Sequence, residues 1–446
     1  MAGPFNRIVD SVSPRRLGRN LRWVLAAVTV MNLGDGVVVA AGPLLVASQT
    51  HDPFLVSLAV FCEFLPTLVF GTVAGVIADR VDRKRLTVVM NLGRSVALLI
   101  LGIVIFSGTV SIALILVMLL ILGSAETFAD LGSTSLLPRL VEREDLGLAN
   151  ARIQGSALLT NQLIGPPIGA FLFALGMALP FVADAAGFAL GAVLMSRIVV
   201  PHLPDLGGRT VALGARAAFG DLRTDMVEGF RWLRSHPPMR TLALTIFAFN
   251  VTYGAAWSVL VLYSRDRLGM DSVGFGLLTT AIAVGGIVGT TLYGRLERRF
   301  RLADIMRVGL LIETGTHLIL ALTRSPVVAL LVFVVFGAHA FVWGTTSTTV
   351  RQRAVPDALM GRVSGIYRVG LNAGIVIGTP IGGLLARGFG ITAPFWFGFA
   401  GSAVLVTLLW REFDQIVHAG DPGPDVAPDV APPASPSSGP RGAASG

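Results

Sequence analysis

Apolar positions along this chain run in long unbroken stretches separated by short polar joints. A membrane-crossing helix needs about 20 mostly apolar residues. Twelve segments fit that length: 22–47, 54–78, 86–107, 111–136, 147–176, 179–199, 240–263, 273–294, 303–323, 326–350, 362–387 and 391–411. Joints such as Ser107–Gly108 and Ser325–Pro326 are so tight that the helices they connect must be antiparallel neighbours. One long joint, 200–239, separates six spans from six. The pattern predicts an all-α integral membrane protein of twelve transmembrane helices in two six-helix halves. Its divisions are an N-terminal segment 1–20, a first bundle 21–199, a linker 200–239, a second bundle 240–411 and a disordered tail 412–446.

The halves are internally similar. Ser135-Leu-Leu-Pro-Arg-Leu-Val141 is answered by Thr349-Val-Arg-Gln-Arg-Ala-Val355, and Gly165-Pro-Pro-Ile-Gly-Ala170 by Gly378-Thr-Pro-Ile-Gly-Gly383. Leu179-Pro-Phe181 matches Ala393-Pro-Phe395, and all three pairings share an offset of about 214 residues. Six spans restore the same direction through the bilayer, so the repeat is parallel. Transporters built this way bind substrate between the halves near the midplane.

Composition agrees with lipid as the main solvent. Only 14% of the 446 residues are charged and 53% are hydrophobic, whereas soluble domains carry about 25% charged residues. Lys and Arg exceed Asp and Glu by 35 to 27, but the excess lies in clusters between apolar runs, so it reports topology rather than nucleic-acid binding. With the N-terminus inside, the cytoplasmic joints hold Arg7 to Arg22, Arg80 to Arg85, Arg139 and Arg143, Arg209 to Arg240, Arg295 to Arg301, and Arg351, Arg353 and Arg362. The outer joints hold only Arg265, Arg267, Arg324 and Arg387. Both termini are therefore expected in the cytoplasm, at the inner membrane. The polar residues 1–20 carry no cleavable signal, and the single cysteine, Cys62, excludes intramolecular disulfides.

Two segments lie outside the apolar runs. In 215–234, Phe219, Leu222, Met226, Phe230 and Leu233 recur at helical spacing, with Asp221, Arg223, Asp225, Glu228 and Arg231 on the other side. That pattern predicts an amphipathic helix on the inner leaflet. The stretch 420–446, rich in Pro, Ala, Gly, Ser and Asp, is expected to be disordered.

The junction of spans two and three reads Gly71-Thr-Val-Ala-Gly75-Val-Ile-Ala-Asp79-Arg80-Val-Asp82-Arg83-Lys84-Arg85. It resembles the signature loop of the major facilitator superfamily, with Asp82 where that signature has Gly. Gly165-Pro-Pro-Ile-Gly-Ala170 looks like the Gly-Pro-x-x-Gly-Gly motif of the family's exporters. Asn32-Leu-Gly-Asp-Gly36, Glu126-Thr-Phe-Ala-Asp130, Leu137-Pro138 and Arg231-Trp-Leu-Arg234 match further. Together they resemble the branch of macrolide-type drug efflux proteins and siderophore exporters, over about 20–410. The resemblance implies the major facilitator fold, a transported small molecule and a proton as coupling ion.

Within the loop, Gly75, Asp79, Arg80, Arg83 and Lys84 form a candidate cytoplasmic gate. Asp79 sits where a carboxylate meets a neighbouring helix N-terminus, worth about 0.3–1 kcal/mol, and the arginines can reach carboxylates or carbonyl ends. A basic loop that merely sets topology is the alternative. The weaker counterpart in the second half runs from Gly289 to Arg301, with Glu297 in the place of Asp79. In span five, Gly165, Pro166, Pro167 and Gly169 bend the helix and admit another backbone.

Charges within spans need a reason, because each costs roughly 2.5–3.5 kcal/mol at the bilayer centre. Asp35 in span one is flanked by Gly34 and Gly36, and Glu126 and Asp130 share a face of span four. The resemblance places spans one, four, seven and ten around a central cavity, so these carboxylates are expected to face one water-filled space. Asn250, Tyr253 and Trp257 of span seven, and His339 and Trp343 of span ten, join them there. Carboxylates with aromatic faces suit an amphipathic cation, and a carboxylate could equally carry the coupling proton. Interface or packing roles remain open for Asp130, Trp257, Trp343 and His339. Glu63, Glu313 with His317, and Arg368 with Asn372 receive no role from the sequence, and the arginine of span four common in proton-coupled antiporters is absent.

No phosphate-binding loop surrounds the only lysine, Lys84, and the six histidines are scattered. No enzyme chemistry, ATP hydrolysis, cofactor or metal site is expected, and the functional unit is expected to be a monomer. The reading is a proton-coupled exporter of small amphipathic compounds. An uptake permease of the same fold and a non-transporting membrane scaffold are the alternatives.

Overall fold

A computed structural model describes residues 18–78, 81–134, 136–199 and 215–419. Among them every regular element is helical. The spans are α1 (Gly18–Gln49), α2 (Pro53–Ala78), α3 (Arg83–Phe106), α4 (Ile112–Thr134), α5 (Arg143–Leu175) and α6 (Leu179–Ser196). The second half holds α7 (Pro237–Trp257, continued by Leu260–Arg267), α8 (Ser272–Arg299), α9 (Leu302–Leu322), α10 (Pro326–Ala354), α11 (Asp357–Phe389) and α12 (Ala393–Leu409). Ten of these are long and apolar enough to cross a membrane by length and composition, and α7 with its 42° bend makes eleven. α12, with 17 residues, is shorter.

Local chemistry sets the helix ends. Asp82 caps α3, accepting the Arg85 N–H at 3.0 Å; the departure from the signature's Gly is thereby an N-cap. Asp271 caps α8 through the Gly274 N–H at 2.8 Å. The tight joints at the far end turn on Gly108, Gly269 and Gly390, whose φ values of 71°, 68° and 93° disfavour any side chain.

In the first half α1 packs on α5 and α6, α3 on α4 and α6, and α2 on α4. The second half repeats the scheme, with α7 on α11 and α12, α9 on α10 and α12, and α8 on α10. The halves meet chiefly along α2–α11 and α5–α8. Outward faces of α3, α6, α9 and α12 carry Ile103, Val193, Val308 and Val404, all more than half exposed. That apolar girdle is what a lipid-facing perimeter requires.

The glycines of the repeated motif mark backbone crossings. A Cβ at Gly165 would stand 2.6 Å from the Gly36 Cα, and one at Gly169 would collide with the Val37 carbonyl. In the second half, Gly378 and Gly382 would collide with the carbonyls of Val251 and Ala255 on α7. α5 therefore lies against α1 as α11 lies against α7. A π-helical turn, Leu158–Ile164, precedes Gly165.

The linker forms the expected amphipathic helix, whereas a second peripheral segment differs from expectation. The linker helix Ala215–Ser235 turns acidic residues toward the protein: Arg362 of α11 pairs with Asp225 at 2.7 Å and Glu228 at 2.8 Å, while Phe230 is exposed. Residues 412–417, assigned from the sequence to a disordered tail, form a short helix instead. Buried Phe413 and Ile416 anchor it, and Asp414 meets Arg307 of α9 at 2.6 Å. That contact holds the Asp414 carboxyl below its ordinary pKa. Residues 1–17, 200–214 and 420–446 lie outside the described residues.

Candidate functional site

A cavity of about 710 Å³ lies between the halves. Its wall combines Val39, Glu63, Phe64 and Asn161 from the first half with side chains of α7 to α11 from the second. Arg351, Ser364 and Arg368 line it toward the end where arginines cluster. At the opposite end the halves are tied together. Arg265 donates to the Ala47 carbonyl at 3.1 Å and lies 3.0 Å from His51 Nδ1, and Arg387 stands 3.7 Å from Asp52. Beneath these contacts a Cβ on Gly383 of α11 would stand 2.9 Å from the Phe54 Cα of α2. The molecule is closed at that end, and its cavity reaches toward the arginine-rich end.

All five residues expected on α7 and α10 line this cavity: Asn250, Tyr253, Trp257, His339 and Trp343. The i, i+4 spacing of Tyr253 and Trp257 puts them on one face of α7, where their rings stack at 5.3 Å. Tyr253 also stacks on Phe336 at 6.1 Å, and Phe249 meets Trp343 edge-on at 5.2 Å. The result is an aromatic wall with few polar positions, the usual make-up of a small-molecule pocket. Pro166 of the span-five motif reaches the same cavity, while its neighbours Pro167 and Ala170 pack on Gly276 of α8 at the join between the halves.

The carboxylates of α1 and α4 sit elsewhere. Asp35 and Asp130 line a separate cavity of about 190 Å³ inside the first half, with Asn91, Arg94 and Gln154. Asp35 is 8% exposed and ion-paired with Arg94 of α3. Glu126 takes the same guanidinium at 3.4 Å and is about one-third exposed. The guanidinium also lies 3.9 Å over the Phe188 ring of α6. The three carboxylates thus gather around a cation instead of facing the aromatic wall. Asp184 of α6 adds a fourth acid nearby, its two oxygens buried without a hydrogen-bond partner among the described residues and packed against Gly34. The glycines flanking Asp35 have steric work of their own, since Gly36 admits the Asn161 backbone.

Arg94 and Asp184 were not among the sequence candidates. Arg94 was detectable, being the one basic residue deep in its apolar run, and a buried cation demands a carboxylate partner. Glu313, which had no role from the sequence, accepts hydrogen bonds from His317 at 3.2 Å and His339 at 3.1 Å. Of the gate motif, Asp79 and Arg80 lie outside the described residues, Gly75 falls in the last turns of α2, and Arg83 and Lys84 open α3. In the second half, Glu297 at the end of α8 pairs with Arg353 of α10 at 3.4 Å.

The chain is 27% identical over 388 residues to the enterobactin exporter EntS of Shigella boydii, covering 83% of this chain and 88% of that protein. It is 25% identical over 387 residues to the multidrug efflux pump Tap of Mycolicibacterium fortuitum, covering 84% and 91%. Among solved structures it is similar in fold to the nucleoside transporter NupG, with TM-score 0.64, 13% identity and coverage of 89% and 99%. A bacterial homologue of the iron transporter ferroportin, solved in an inward-facing state, gives TM-score 0.63 at 18% identity, covering 91% and 99%. The family profile described as Major Facilitator Superfamily matches residues 24–370 and 268–439. With helices paired alike in both halves and a cavity between them, this multi-pass membrane protein belongs to the Major Facilitator Superfamily.

Proposed function

We propose that this transporter exports small amphipathic organic compounds, a drug or a secreted metabolite of siderophore type, from the cytoplasm in exchange for protons. The observation that carries the reading is the aromatic-walled cavity between the halves, closed at one end by Arg265 and Arg387 and reaching the arginine-rich end through Arg351 and Arg368. Arginine-rich joints belong on the cytoplasmic side, so this state receives its cargo from the cytoplasm. Rocking of one half against the other along α2–α11 and α5–α8 would carry the cavity to the far side.

The relatives at 25–27% identity, an enterobactin exporter and a multidrug efflux pump, support export of organic molecules over uptake. In this reading Tyr253, Trp257 and Trp343 hold the apolar body of the cargo, and Asn250 and Glu63 orient its polar groups. Asp35, Glu126 and Asp130, gathered around Arg94, supply acidic groups able to exchange a proton as α1 and α4 move. The span-five motif acts through packing, letting α5 slide against α1 and α8.

Accumulation of ethidium, a macrolide and a catechol siderophore in cells with and without the chain tests the proposal. Lower accumulation of at least one compound, abolished by an uncoupler, is expected. Equal accumulation of all three, with the protein present in the membrane, would overturn it.

A further inference from the structure

One polar cluster faces the large cavity without a part in the scheme above. It joins Glu313 and His317 of α9 with His339 of α10. One carboxylate oxygen of Glu313 lies 3.2 Å from His317 Nε2 and the other 3.1 Å from His339 Nε2. An ionised carboxylate only accepts, so each Nε2 carries a proton and donates. All three residues are buried, at 4–8% exposure.

The surrounding helices make room for the cluster. A Cβ at Gly309, one turn before Glu313, would stand 2.9 Å from His339 and 2.8 Å from Trp343. On α12, a Cβ at Gly398 would stand 2.6 Å from the His317 ring. Glu313 and His339 reach the cavity wall, whereas His317 Nδ1 is buried with no hydrogen-bond partner among the described residues. One imidazole therefore borders the cavity and the other is enclosed behind it.

Charge decides what this arrangement can do. With both imidazoles neutral, Glu313 is a lone negative charge between apolar helices, which is strongly unfavourable. Among the described residues no arginine or lysine pairs with it, and Arg351 of α10 and Arg368 of α11 line the same cavity toward the arginine-rich end. On α9 the nearest ionisable residues are Asp304 and Arg307, and on α10 they are Arg351 and Arg353, all in turns at the arginine-rich end. The span of α12 has no titratable side chain, and those of α8 fall between Tyr293 and Arg299. α7 presents Tyr253, and across the cavity α2 presents Glu63.

We propose that Glu313, His317 and His339 form a proton-binding site of the second half, loaded and unloaded from the central cavity. The incoming proton bonds to the free Nδ1 of His339, while Nε2–H stays on Glu313. The imidazolium and carboxylate then make a neutral pair through one hydrogen bond, with His317 donating a second to the carboxylate, and unloading returns the same proton to cavity water. The unloaded cluster keeps a charge that favours wetting and a shift of α10 against α9, which ties protonation to the state of the cavity. This site rests on the exporter reading for the identity of the exchanged ion, but proton binding itself is measurable without any cargo.

The test is nitrogen NMR of ¹⁵N-histidine-labelled full-length protein in lipid nanodiscs from about pH 5 to about pH 9, with His339 assigned by its loss in His339→Gln. His339 is expected to pass from one protonated ring nitrogen to two within this range. Glu313→Gln should move the midpoint by at least about tenfold in proton concentration, toward acid. Hydrogen-exchange protection at residues 47–54, taken relative to the intrinsic exchange rate at each pH, should differ between the pH extremes in the parent and not in Glu313→Gln. A His339 that stays neutral to the acid limit, or titrates identically in both proteins, overturns the site. If Glu313→Gln does not fold, the parent titration decides alone. Active efflux with a flat titration removes this site and spares the exporter, whereas a normal titration without efflux does the reverse.

Discussion

Arg94 of α3 places its guanidinium on the Asp35 carboxylate of α1 and reaches Glu126 of α4 at 3.4 Å, so one buried cation ties three helices of the first half. Removing one partner of a buried pair costs roughly 3–5 kcal/mol, because the remaining charge is left uncompensated. Arg94→Met is therefore expected to unfold well below the parent temperature in detergent, as followed by tryptophan fluorescence. Asp35→Asn should be milder, since Arg94 keeps Glu126. A parent-like melting temperature for Arg94→Met would show that the pair contributes nothing to the fold.

The crossings of α5 on α1 and of α11 on α7 supply a second test. Gly169 and Gly382 admit backbone carbonyls where a Cβ would sit, whereas Gly315 of α9 faces open space. Overpacking a tight contact costs about 1–3 kcal/mol. Gly169→Val and Gly382→Val should each lower folded yield and thermal stability. Gly315→Ala should be neutral or gain up to about 1 kcal/mol, from its better helix propensity. Equal effects at all three positions, measured by size-exclusion recovery after heating, would dismiss the crossings as determinants of packing.

These contrasts mark what the sequence could and could not convey. Apolar run length located the helices because it follows from bilayer thickness, which acts on each segment separately. The motif repeated at Gly165 and Gly378 foretold the crossings, since only glycine lets backbones meet. The placement of Asp35 was not legible. Which space a side chain faces depends on the rotation of its helix and on a partner from α3, and neither is written in the local pattern. The pairing of Glu313 with two histidines failed for the same reason, because His339 belongs to a different helix. Tyr253, Trp257, His339 and Trp343 were expected at the cavity because the family resemblance puts spans seven and ten there, and the i, i+4 spacing only keeps each pair on one face.

The aromatic wall makes a prediction about affinity. Aromatic pairs contribute about 0.5–1.5 kcal/mol beyond burial, and Tyr253 stacks on both Trp257 and Phe336. Tyr253→Ala should raise the half-saturating concentration for ethidium efflux about three- to tenfold, with little change in membrane abundance. Tyr253→Phe should stay near the parent, because the ring rather than the hydroxyl makes the contact. Saturation curves in everted vesicles distinguish the two, and a Phe variant as impaired as Ala would shift the role to the hydroxyl.

The contacts at the closed end predict a change in conformational balance. Arg265 joins Ala47 and His51, and Arg387 joins Asp52, so both arginines bridge the halves without touching the aromatic wall. Exposed charge contacts are each worth about 0.2–1 kcal/mol, so losing both should shift the two-state equilibrium by about two- to thirtyfold. Ser57 is fully buried where α2 meets α11 and becomes accessible only if those helices part. In a Cys62→Ala background, Ser57→Cys should react slowly with a membrane-impermeant maleimide. Adding Arg265→Ala and Arg387→Ala should speed labelling by that same factor, and high salt should speed the parent while hardly changing the double variant. An unchanged rate would mean that apolar packing of α11 on α2, rather than the arginines, holds this end shut.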